Sequence, residues 1–79
     1  MNTYERVKNI VAIALNKPAD QITPETSLRG DLAADSLEQV EIVIELEKAF
    51  CIDLGDDTFT LETVKELVDY IEARLGENR

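Results

Sequence analysis

Among the 79 residues of this chain, the side chain best placed to do chemistry is Ser36, between Asp35 and Leu37 at the head of the stretch Asp31 to Phe50. A serine hydroxyl can serve as a nucleophile or as a point of covalent attachment. Nucleophilic catalysis needs a general base of near-neutral pKa, and the chain has no histidine. A self-contained Ser-His or Cys-His catalyst is therefore excluded, and if Ser36 reacts, another protein must activate it. The single cysteine, Cys51, has no histidine to activate it and no second cysteine to pair with, and reads as a half-buried thiol. The acids at 53, 56 and 57 invite a calcium loop. Gly55 stands where such a loop needs an oxygen ligand, and the twelfth place counted from Asp53 holds no glutamate, so no metal site is expected.

Helix-start signals surround the serine. Asp35 is a strong N-cap type with Glu38 three residues on, and Ser36 with Gln39 offers the same arrangement one step later. Ser36 thus falls at a helix N-terminus, where its ordinary use is as a cap. The same position suits a phosphate, because the first-turn N–H groups and the positive end of the helix dipole stabilise an anion.

Three amphipathic stretches must position that serine. Val7, Ile10, Val11, Ala14 and Leu15 give helical spacing over residues 3 to 15, with Thr3 as cap and Asn16 and the Lys17-Pro18 step as stop. On a wheel of about 100° per residue, the central helix gathers Val40, Val43, Leu46 and Phe50 on one side, flanked by Ala49 and Ile42 and by Ile44 and Leu37. This arc is wider than a core-facing stripe requires, which leaves part of it for a partner. Glu38, Glu41 and Glu45 lie opposite, with Lys48 beside them. Thr63-Val64-Lys65-Glu66 reads as a capping box for a last helix whose apolar face is Val64, Leu67, Val68, Ile71 and Leu75, closed by Gly76. Between the first two helices, Asn16 to Ala34 has no periodicity. A loop this long needs its own anchors, and Ile22, Leu28 and Leu32 are the candidates. Ile52 and Leu54 alternate as if tucked under an edge, and Asp56-Asp57-Thr58-Phe59 suggests a short turn. The expected fold is all-α, a small bundle of three main helices plus one short helical turn, forming a single domain over residues 1–79.

Charge narrows the partners. The net charge is −9, and residues 31 to 57 hold nine acids and one lysine. Such a surface repels nucleic acid and draws in a basic patch on another protein; its bland use is solubility alone. No apolar run is long enough for a membrane span and no signal-peptide layout opens the chain, so a soluble cytoplasmic monomer is expected.

The run Asp31-Leu32-x-x-Asp35-Ser36-Leu37, followed by Val40-Glu41, Leu46-Glu47 and Phe50, resembles the acyl carrier proteins of dissociated fatty-acid and polyketide systems, over essentially the whole chain. The resemblance implies that Ser36 carries covalent 4′-phosphopantetheine, placed there by a phosphopantetheinyl transferase that uses coenzyme A. The chain would be a carrier without catalytic activity, serving acyl-transferring and chain-elongating enzymes with basic docking patches. Their contacts would match Asp35, Leu37, Glu38, Val40, Glu41, Ile44 and Glu47. An interior shelter for the acyl chain would be lined by Val7, Leu28, Val43, Leu46, Leu61 and Leu67, on periodicity and resemblance together. Three positions depart from the commonest pattern: Ala33 stands for a frequent glycine, Lys48 for an acid and Gly55 for a proline. The rival readings are a dedicated aminoacyl or peptidyl carrier, and an acidic helical interaction module that is never modified.

Overall fold

The computed structural model describes residues 2–55, 58 and 60–77. Three helices are formed, α1 (Thr3–Leu15), α2 (Ser36–Phe50) and α3 (Val64–Glu77), with a 3₁₀ turn at Ala19–Gln21 in the long loop between α1 and α2. The all-α reading of the periodicities holds. The 3₁₀ turn is not legible as a period because it is three residues long. Of the turn expected at 56–59, Thr58 is in 3₁₀ geometry, while Asp56, Asp57 and Phe59 lie outside the described residues.

Helix ends follow capping chemistry, with two corrections. Asn2, not Thr3, caps α1: its Oδ1 accepts the Glu5 N–H at 2.8 Å, as the stronger preference of asparagine for that place favours. Thr3 becomes the first helical residue. Gly76 does not stop α3 but lies inside it, and its φ is not positive; one glycine near a helix end costs only about 1 kcal/mol. The other boundaries hold. Asn16 takes a left-handed φ of 55° and Lys17 N–H returns to the Ala12 carbonyl at 2.9 Å. Thr63 Oγ1 accepts the Glu66 N–H at 3.2 Å to open α3.

Cys51 reverses the chain after α2 with φ 56°, and Ile52 N–H bonds to the Glu47 carbonyl at 3.3 Å. The thiol is exposed rather than half-buried, because the buried side of α2 ends one residue earlier, at Phe50. Arg6 reaches across from α1 to this end. Its Nη2 donates to the Ala49 carbonyl at 2.8 Å, and its guanidinium stands 4.2 Å from the Phe50 ring centroid. A last-turn carbonyl is thereby satisfied by a cation at the negative end of the helix dipole.

The core joins Val7, Val11 and Leu15 of α1, Ile42, Leu46 and Phe50 of α2, and Val64, Leu67, Val68 and Ile71 of α3. For α2 this corrects the wheel. Its buried stripe is Gln39, Ile42, Leu46 and Phe50, so Ile42 moves from the flank to the centre, Val43 is half-buried and Val40 is outside. Hydrophobicity alone could not centre an arc wider than the contact it makes. The long loop is anchored as expected by Ile22, Leu28 and Leu32, all buried. It is also stitched to the mouth of α3. Leu28 N–H donates to the Glu62 carbonyl at 2.8 Å, and the first amides of α3, Val64 and Lys65, donate to the Thr26 and Pro24 carbonyls at 3.1 and 2.8 Å. Orphan donors of the helix are thus satisfied by loop backbone. Ile52 and Leu54 are buried, as their alternation suggests. Among the described residues, no helix is long and apolar enough to cross a membrane.

Two of the departures from the common pattern acquire a physical meaning. Gly55 has φ 69°, which proline cannot adopt because its ring fixes φ near −65°. Ala33 has φ 53°, a left-handed conformation that the alanine Cβ disfavours and glycine accepts. Ala33→Gly is therefore expected to raise stability by about 0.5–1 kcal/mol, after the greater unfolded-state entropy of glycine is subtracted. A melting temperature equal to or below wild type would show that the loop bears no strain there.

Candidate functional site

The first turn of α2 divides its work between two adjacent residues. Asp35 is the N-cap: its Oδ1 accepts the Glu38 N–H at 2.8 Å, while Glu38 Oε1 accepts the Asp35 N–H at 3.2 Å, a closed capping box. Of the two helix starts signalled in the sequence, the earlier one wins. Ser36 is the first helical residue, is exposed, and stands outside the box. Its hydroxyl is therefore not the group that satisfies the helix end. The amides of the first two helical residues have no partner within a helix, so the surroundings of Ser36 combine a positive helix terminus with the carboxylates of Asp35 and Glu38.

The backbone before Ser36 is held from behind. Ala34 N–H donates to the Leu28 carbonyl at 2.9 Å, and Asp31 and Leu32 N–H both reach the Ser27 carbonyl at 3.1 Å. Asp31 Oδ2 returns the contact by accepting the Ser27 N–H at 2.9 Å. Gln39, buried on the inner side of the first turn, donates Nε2 to the Ala34 carbonyl at 3.5 Å. The serine thus sits on a fixed corner.

Beyond Ser36 an exposed strip runs along α2. Leu37 is 67% exposed, Val40 39% and Ile44 42%. Glu41 beside them is also exposed, whereas Glu38 is half-buried in the capping box and Glu47 is half-buried with Oε2 accepting the Leu54 N–H at 3.0 Å. Of the seven residues matched to partner contacts, Leu37, Val40, Glu41 and Ile44 are open, Asp35 is exposed while it caps α2, and the half-buried Glu38 and Glu47 each have internal work. Lys48 Nζ lies 3.8 Å from Glu45 Oε1, both side chains more than half exposed, a pair of small energetic weight.

The six residues matched to an acyl shelter all belong to the one hydrophobic core or pack against it, and three of them line a cavity. Leu28, Val43 and Leu67 line a small cavity together with Gln39, Ile42 and Thr58. Its volume is about 10 Å³, scarcely room for one water. Val7 and Leu46 are fully buried in the same core and Leu61 packs against it, none of them lining that cavity. Gln39 and Thr58 escape a sequence reading because polar residues are not expected inside. A second recess, an open groove between α1 and α2, is lined by Ile10, Ile13, Ala14, Glu41, Ile44 and Glu45. The sequence signal for it is Ile13, an apolar residue one step off the buried stripe of α1.

Comparison with known proteins gives concordant results. The family described as the phosphopantetheine attachment site matches residues 5–71. Acyl carrier protein 3 of Ralstonia nicotianae is 46% identical over 73 residues, covering 91% of this chain and 84% of that protein. The acyl carrier protein of Helicobacter hepaticus is 43% identical over 74 residues (92% and 97%), and that of a Picosynechococcus species 40% over 76 residues (95% and 94%).

Because Asp35 closes the helix, Asp35→Ala is expected to lower stability by about 1 kcal/mol, and Asp35→Asn much less, since asparagine caps equally well. Urea unfolding of the two variants checks this. Equal loss in both would mean that the carboxylate charge, not the cap, matters.

Proposed function

This chain belongs to the acyl carrier proteins, and on that premise we propose that Ser36 is the residue to which its 4′-phosphopantetheine arm is attached. When attached, the arm supplies a terminal thiol on which an acyl group travels as a thioester. The observation that carries the assignment is the split of roles at the start of α2: Asp35 does the capping, which leaves an exposed serine oxygen at a helix N-terminus. The Ser36 oxygen would form the phosphodiester bond by attacking the pyrophosphate of coenzyme A, whose P–O bond breaks and releases the adenosine bisphosphate half as the leaving group. The Ser36 hydroxyl proton goes to a base on the transferase, because the chain contains no histidine. The first-turn amides at the start of α2 would stabilise the phosphate, while the carboxylates of Asp35 and Glu38 would repel it.

Acyl carrier proteins work with a phosphopantetheinyl transferase and with biosynthetic enzymes. For this chain we assign the docking strip to Leu37, Val40 and Ile44 flanked by Asp35 and Glu41, read by enzymes of fatty-acid, lipid or polyketide biosynthesis that carry basic patches. The chain itself performs no catalysis. It acts as a cytoplasmic monomer, a reading that its net charge of −9 supports by setting copies apart. The recess formed by Leu28, Val43 and Leu67 is the entry for an acyl chain, which must push these side chains aside because the cavity is only about 10 Å³.

Two experiments test this. Ser36→Ala should keep the helical circular dichroism of wild type and gain no mass when incubated with coenzyme A and a phosphopantetheinyl transferase, while wild type gains one phosphopantetheine. Loading of the Ser36→Ala protein would place the attachment elsewhere, and a wild type that is never loaded would favour an unmodified docking module. Loading a medium-length acyl chain should then raise the melting temperature above that of the bare arm, because each CH₂ that enters the bundle contributes about 0.8 kcal/mol. Identical melting temperatures would mean that the cargo stays outside, as expected of an aminoacyl or peptidyl carrier.

A further inference from the structure

The docking strip assigned above stops on α2, but the apolar surface does not. Ile13 of α1 is 81% exposed, the most exposed large apolar side chain among the described residues. It is one wall of the groove whose other wall is Ile44, with Ile10 and Ala14 beside it on α1 and the carboxylates of Glu41 and Glu45 along α2. The groove measures about 620 Å³, the size of a site that takes a large side chain or more. Single exposed apolar residues need no explanation, whereas a contiguous patch rimmed by charge marks an interaction surface. This one is continuous with Leu37 and Val40 through Ile44.

We infer that the α1–α2 groove is a second docking point for the enzymes that take the acyl group from the arm, and that it receives a bulky apolar side chain flanked by lysine or arginine. The inference rests on the carrier reading and extends it to α1. Charge decides the occupant. The groove is bordered by Glu41 and Glu45, within the segment 31 to 57 that holds nine acids and one lysine. A second copy of this chain would bring the same carboxylates against them, and like charges across an interface are strongly disfavoured. A cationic partner is attracted, and meets Lys48 as a competitor, since its ammonium is 3.8 Å from Glu45. That pair is exposed and weak, so an incoming cation displaces it readily.

Apolar seat and charged rim then separate kinetically. Charges at a rim act chiefly on the association rate and respond to salt, whereas burial of an apolar side chain acts on dissociation and does not. Acyl-loaded wild type, Ile13→Ser, Ile13→Val, Glu41→Gln/Glu45→Gln and Lys48→Gln are compared as substrates of a chain-elongating enzyme that uses acyl carrier proteins, at two salt concentrations. For Ile13→Ser the expected result is a KM raised by about tenfold, the weight of one buried aliphatic side chain. Its kcat should be unchanged and the ratio to wild type equal at both salts, with Ile13→Val near wild type. The double glutamine variant should raise KM severalfold at low salt only, and Lys48→Gln should lower it there. Circular dichroism of Ile13→Ser should match wild type, because the side chain is outside the core.

A KM for Ile13→Ser equal to wild type overturns the groove while leaving the carrier reading intact. Concentration-dependent sedimentation of wild type that Ile13→Ser abolishes assigns the groove to a second copy instead. Failure of wild type itself to accept the arm is a failure of the underlying reading, and is visible before any variant is compared.

Discussion

The capping box of Asp35 and Glu38 is the interaction on which the rest of the site depends. A helix N-terminus leaves amides without partners, and the nearest short polar side chain is drawn in to satisfy them. Had Ser36 filled that place, its oxygen would be held against its own helix. Asp35 takes the position one residue earlier, with bonds of 2.8 and 3.2 Å closing the box from both sides. The serine is then carried on a rigid turn with its oxygen outside, which is what a site of covalent attachment requires.

That corner is fixed by a loop that has little regular structure of its own. Between Asn16 and Asp35 the chain is stabilised by the buried Ile22, Thr26, Leu28, Leu32 and Ala34 and by backbone bonds to the mouth of α3, so α2 begins where the loop delivers it. Gln39 joins the two: it is buried on the inner side of α2 and reaches back to the Ala34 carbonyl. Ala33 between them is left-handed, as are Asn16 and Cys51 at the ends of α1 and α2, and an alanine Cβ disfavours that conformation. Strain there lies three residues before Ser36, and the chain tolerates it because the bonds on either side over-determine the path.

α2 itself serves three surfaces. Gln39, Ile42, Leu46 and Phe50 pack inward, Leu37, Val40 and Ile44 stay on the outside, and the glutamates lie along the rim. The acids are not uniform in role. Glu38 closes the cap and Glu47 holds the Leu54 amide, while Glu41 and Glu45 border the groove against α1. A high local charge density therefore contributes to internal structure and to an external field from the same few residues.

Much of this could be read from residue order. The periods of three apolar faces, the double helix-start signal at Asp35-Ser36 and the anchors Ile22, Leu28 and Leu32 depend on local geometry, which sequence spacing records. The absence of histidine, which excludes a self-contained Ser-His or Cys-His catalyst, is read from composition alone, since a missing residue type cannot be supplied by folding. What needed the tertiary structure was every choice between locally equal options. Asp35 wins the cap over Ser36, and the buried stripe of α2 centres on Ile42 rather than Val43, because the neighbouring helices and loop settle which part of a wide apolar arc is covered. Gln39 and Thr58 enter the interior against their type, and with Leu28, Val43 and Leu67 they line a small cavity that Val7, Leu46 and Leu61 do not line. The groove with Ile13 exists only between two helices. Spacing along one chain fixes angles within a helix, and the packing of one helix on another is set by contacts that lie far apart in sequence.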